Sequence, residues 1–60
     1  MIINFIAIME ENNGTTKIFG SADFVMEILK LNPWQFFEAL NGGYTIEENE
    51  TFITIESFED

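Results

Sequence analysis

The sequence predicts an α+β fold of order β-β-α-α-β-β, an antiparallel four-stranded sheet with two short helices packed on one face. Three observations predict it. Stretches rich in Ile, Phe and Thr lie at both ends of the 60-residue chain, as strands require. Each breaks at a short polar turn, Asn13-Gly14 in the first and Asn49-Glu50 in the second, as hairpins do. Between them lie two short helical segments divided by Asn32-Pro33.

The first strand covers about 2–10. Ile3, Phe5, Ala7 and Met9 share one face and Ile2, Ile6 and Ile8 the other, so both parities are apolar and the strand belongs in the middle of its sheet. Asn13-Gly14 suits a type I′ turn, which would pair Glu10 with Lys17, Met9 with Ile18 and Ile8 with Phe19. The opposite charges of Glu10 and Lys17 would then face each other across the ladder. The second strand covers about 15–20.

Ser21 can cap the first helix, with Asp23 in the first turn favoured by the helix dipole, and the helix should run to about Leu31. Asn32-Pro33-Trp34-Gln35 then carries a strong N-cap, a proline at N1 and a glutamine at N3, the pattern of a capping box. The second helix spans about 33–41 and stops at Gly42-Gly43. Its polar positions are Gln35, Glu38 and Asn41. Residues 44–58 form the second hairpin, with either a two-residue turn at Asn49-Glu50 or a four-residue loop. The two-residue turn pairs Ile46 with Ile53 and Tyr44 with Ile55.

Two helices cover one face of the sheet, and no segment remains for the other. In the second hairpin Tyr44, Ile46, Ile53 and Ile55 should face the helices, leaving Thr45, Glu47, Phe52, Thr54, Glu56 and Phe58 outward. In the first, if Ile3, Phe5, Met9 and Ile18 face in, then Ile2, Ile6, Ile8 and Phe19 face out, and reversing the hairpin exchanges the sets. Either way about four large apolar residues stay uncovered, a patch that a small monomer rarely leaves open. Self-association through Ile2, Ile6, Ile8 and Phe19, as a homodimer, is one expectation. A patch kept for another protein is the other.

Size and charge bound the function. Sixty residues make one small acidic domain, 1–60, which buries only about 60% of its unfolded surface. The chain has no Cys and no His, so disulfides and thiolate or imidazole metal sites are excluded. An apolar fraction of 47% with seven Phe and nine Ile is too high for a disordered acidic tail. Eleven carboxylates against Lys17 and Lys30 give a net charge of −9, which repels nucleic acid and anionic membranes and attracts basic surfaces. The N-terminal MIINFIAIM lacks a basic flank and a small-residue cleavage site and is too short to span a bilayer, so a cytoplasmic protein is expected.

No enzyme, metal or cofactor is expected. Without His or Cys, nucleophile–base pairs reduce to Ser, Thr, Lys and carboxylates. Carboxylates alone can hydrolyse glycosides, but that needs a cleft that two helices and four short strands hardly form. The oxygen-rich turns at 10–14 and 47–50 do not follow the twelve-residue calcium-loop spacing, and no Gly-rich phosphate loop is present.

The carboxylates concentrate late in the chain: Glu47, Glu48, Glu50, Glu56, Glu59 and Asp60, interleaved with Phe52 and Phe58. Same-face residues on a strand repeat about every 6.5–7 Å, close to the separation of successive phosphates. An acidic hairpin of this kind suits a basic nucleic-acid groove on another protein, with Phe52 or Phe58 as apolar anchor. In size, acidity and lack of catalytic side chains the chain resembles the small phage-encoded inhibitors of host enzymes. These include the uracil-DNA glycosylase inhibitors and several anti-CRISPR proteins, some of which mimic DNA. The resemblance lies in composition, and it implies an inhibitor or regulator acting in the host cytoplasm on a nucleic-acid-processing protein. A homo-oligomeric assembly protein is the alternative.

Overall fold

The strands and helices follow in the predicted order. A computed structural model describes residues 3–59, with β1 (Ile3–Glu11), β2 (Gly14–Gly20), α1 (Ala22–Leu29), α2 (Pro33–Leu40), β3 (Tyr44–Ile46) and β4 (Thr51–Glu59). The strands form one antiparallel sheet in the order β2-β1-β4-β3. The two nine-residue strands, β1 and β4, are central. α1 packs on β1 and β2, and α2 on β3 and β4, so the helices lie over opposite halves of one face.

The core forms where the central strands meet the helices. Ala7, Ile53 and Ile55 are buried against Val25, Leu31, Phe36 and Ala39, and Phe5, Met9, Ile18, Tyr44 and Ile46 pack around them. This settles how the first hairpin lies: Phe5, Ala7, Met9 and Ile18 face the helices and Ile6 and Ile8 face away. The second hairpin has Tyr44, Ile46, Ile53 and Ile55 inward, as expected. Phe5 meets Phe36 edge to face, with centroids 5.2 Å apart and planes at 79°, a geometry that aromatic quadrupoles favour. Gln35 Nε2 donates to the Tyr44 hydroxyl at 3.0 Å, tying α2 to β3.

The first hairpin corrects the expected register. Glu11 pairs with Gly14, so Asn12 and Asn13 form the turn; Glu10 faces Thr15, and Lys17 faces Ile8 rather than Glu10. A type I′ turn at Asn13-Gly14 needs positive φ at both positions. Here only Gly14 has it, at 135°, and neither Asn does. The register follows the residue that takes positive φ, Gly14, and a Glu10–Lys17 charge pair worth only about 0.2–1 kcal/mol does not override it. Because the slide is two residues, every side chain keeps its face.

Both helix starts are as the sequence predicts. Ser21 Oγ accepts from the Phe24 amide at 3.2 Å. Asn32 Oδ1 accepts from the Gln35 amide at 2.8 Å, and Gln35 Oε1 accepts from the Asn32 amide at 2.9 Å, completing the capping box. α1 ends at Leu29, two residues before the expected Leu31, because Lys30 turns left-handed with φ 56°. The Leu31 amide then donates to the Met26 carbonyl at 2.9 Å and the Lys30 amide to Glu27 at 3.3 Å. This is a Schellman closure, and it swings Leu31 into the core. In the second hairpin Ile46 pairs with Thr51, so the four-residue loop Glu47–Glu50 is the one formed. Asn49 Oδ1 accepts from the Thr51 amide at 3.3 Å and tightens it.

Candidate functional site

Antiparallel pairing assembles an acidic end. β1 finishes at Glu11 beside the start of β4, with Glu10 directly opposite Phe52. The loop Glu47–Glu50 enters β4 at Thr51. Both hairpin tips therefore lie at one end of the sheet, on adjacent strands that run about 4.8 Å apart. Glu10, Glu11, Glu47, Glu48 and Glu50 are all exposed there. Among the described residues no group of three or more His, Cys, Asp or Glu could hold a metal ion. The five carboxylates thus form a spread negative surface rather than a chelating cluster.

The expected acidic site is divided by this geometry. Glu47, Glu48 and Glu50 stand at the tip end with Phe52. Glu56, Phe58 and Glu59 lie further along β4, toward its other end. Phe52, Glu56 and Phe58 share the outer face, whereas Glu59 pairs with Ile3 and has the parity of the helix-covered face. Asp60 lies outside the described residues. A run of carboxylates at phosphate-like spacing along one strand face is not formed: of the β4 acids, Glu56 alone has the outer parity. Glu10 and Glu11, which were not among the expected site residues, join the acidic end. The signal for them was the β1–β4 pairing, which no local spacing reveals.

Phe52 is partly occupied within the chain. It is 37% exposed, and its ring lies over Gly43, where any Cβ would run into it. An aromatic ring over a glycine near a sheet edge covers backbone that has no side chain to protect it. What remains of Phe52 borders Glu10 and Thr45 in the ladder.

The expected self-association residues occupy the same outer face. Phe19 is 61% exposed, Ile6 and Ile8 are half-buried, and Ile2 lies outside the described residues. Phe19 on β2 reaches over β1 to Phe58 on β4, with ring centroids 4.8 Å apart and planes at 39°. In the ladder Ile6 sits between Phe19 and Glu56, and Ile8 between Lys17 and Thr54. Among the described residues the face therefore covers itself in part, with Phe19 packed on Phe58 and Ile6 and Ile8 half-buried.

The helical layer holds aromatics that the sequence reading did not single out. Trp34 and Phe37 on α2 are 75% and 60% exposed, and Phe24 and Ile28 on α1 are exposed as well. Trp34, Phe37, Glu38, Asn41 and Gly43 line a shallow cavity of about 400 Å³. The hint was present in the sequence. With only Gln35, Glu38 and Asn41 polar, α2 has more apolar circumference than one covered face can bury, and α2 turns Gln35 inward to Tyr44 instead. No helix is long and apolar enough to cross a membrane among the described residues. A scan of protein-family models, a search of curated proteins and a search of solved structures find no match to this chain.

Proposed function

We propose that the chain is a small acidic binding protein that occupies a basic site on a nucleic-acid-processing protein, as an inhibitor or regulator. The observation that carries this reading is the acidic end. Two hairpin tips bring Glu10, Glu11, Glu47, Glu48 and Glu50 together beside Phe52, in a protein of net charge −9. Such a surface attracts Lys- and Arg-lined grooves and displaces the anions already bound there. The apolar edge of Phe52 supplies a contact that duplex nucleic acid does not offer. No ladder of phosphate-like spacing is required; a concentrated field at one end of a 60-residue body suffices for steering.

The test is capture from host lysate at low and high salt, with duplex DNA as competitor. The expected result is a nucleic-acid-handling protein that high salt or excess DNA releases. The triple reversal Glu47→Lys, Glu48→Lys, Glu50→Lys should weaken capture by tenfold or more, on the order of 1.4 kcal/mol or above. Undiminished capture by the triple variant would sink the reading.

A second reading rests on Phe19. Its exposed ring, paired with Phe58 beside half-buried Ile6 and Ile8, suits a second copy of the chain packed face to face. Sedimentation across a wide concentration range separates the two readings. A dimer that Phe19→Ser dissociates supports assembly, and a compact monomer at high concentration removes it.

A further inference from the structure

The cavity on the exposed flank of α2 has the chemistry of a cation site. Trp34 and Glu38 stand one helical turn apart, as do Phe37 and Asn41, so all four project to one side. Gly43 closes the floor without a side chain. The cavity is thus lined by two aromatic side chains, one carboxylate and one amide. Its volume of about 400 Å³ falls at the small end of ligand pockets, which run about 300–1,000 Å³. That is ample for a single side chain.

We infer that this cavity receives an arginine side chain of a basic partner protein. Charge complementarity selects this occupant. The chain carries eleven carboxylates and two lysines, and neither Lys17 nor Lys30 lines the cavity, so among the described residues no cation lines it beside Glu38. An apolar occupant would desolvate Glu38 without compensation, which is costly. A guanidinium stacks on the indole and phenyl faces and can still take the carboxylate edge-on, and it is more weakly hydrated than an ammonium. Arginine therefore fits better than lysine. This contact lies on the helical layer, apart from the acidic end, and stands whether or not that end binds a nucleic-acid-processing protein.

Trp34 is the chain's sole tryptophan and lines this cavity, so its fluorescence is the probe of it. The full chain is titrated with a capped tetra-arginine peptide, with tetra-lysine, tetra-citrulline and tetra-leucine peptides as controls. A saturable change in Trp34 emission is expected with arginine, a weaker affinity with lysine and no saturation with citrulline. Phe37→Ala and Glu38→Gln should each weaken the arginine response by roughly 3- to 10-fold, the size of a partly exposed cation–π or ionic contact. Both side chains are exposed, and unchanged circular dichroism establishes that the variants fold. The triple reversal at Glu47, Glu48 and Glu50 should reduce the response less than Phe37→Ala does. That arm keeps failure of this site distinct from failure of the acidic end. An equal response to citrulline or leucine overturns the proposal, as does an unaltered response in Phe37→Ala. Emission that shifts with protein concentration alone would identify a second copy as the occupant and would overturn it too.

Discussion

Lys30 sits at φ 56°, in the left-handed region that side chains with a Cβ avoid, yet the Schellman closure of α1 turns on it. The gain that holds it there is the burial of Leu31, which follows directly and lies in the core. Replacing Lys30 with glycine should relieve that strain. The expected change is a stabilisation of about 1 kcal/mol, a rise of roughly 4–8 °C in the thermal midpoint of a domain this small. Thermal melting of Lys30→Gly beside the parent chain measures it. Gly43 shows the opposite constraint. Its φ of 132° disfavours a side chain and the Phe52 ring above it leaves no room for one, so one residue both underlies Phe52 and lines the α2 cavity.

At the scale of elements, α2 is the most self-contained piece. Its capping box uses only side chains three residues apart, and Pro33 presets the backbone of the first turn. Asn32→Ala should remove one reciprocal bond and cost about 1 kcal/mol, with a range near 0.5–2 kcal/mol. Denaturant unfolding should show a lower midpoint at unchanged slope. These signals were legible in the sequence because they are local. The hairpins were legible only in part. Their strands and faces follow from residue parity, but their registers depend on which residue at the tip takes positive φ. At the first tip that is Gly14, the first residue of β2, and at the second Glu50 takes it at φ 56° within a four-residue loop.

For the whole molecule, the decisive step is the pairing of β1 with β4, residues that lie some forty or more positions apart in the chain. It closes the sheet, buries Ala7 between Ile18 and Ile55, and brings the two acidic tips to one end. Like charges held together this way oppose folding as well as attracting partners. Glu47→Gln combined with Glu48→Gln should therefore stabilise the chain at low ionic strength, on the order of 1 kcal/mol or less for such exposed charges. The gain should shrink as salt shortens the screening length to about 8 Å near physiological ionic strength. Unfolding of parent and variant at two salt concentrations reads both the gain and its loss. A gain that stays the same in high salt would mean that repulsion between the tips is not its source.

The sequence already shows an acidic chain of α+β order, with β1 in the middle of the sheet and the apolar faces of the second hairpin assigned. Each of those properties comes from composition, parity or contacts within a few residues. Long-range packing sets which carboxylates stand together, places the Phe52 ring over Gly43, and leaves Trp34 and Phe37 rather than Gln35 to solvent. The physical reason is that these depend on strand pairing and helix rotation, which are set by filling one shared core from both ends of the chain. The acidity was therefore readable from the residues, whereas the surface it forms was not.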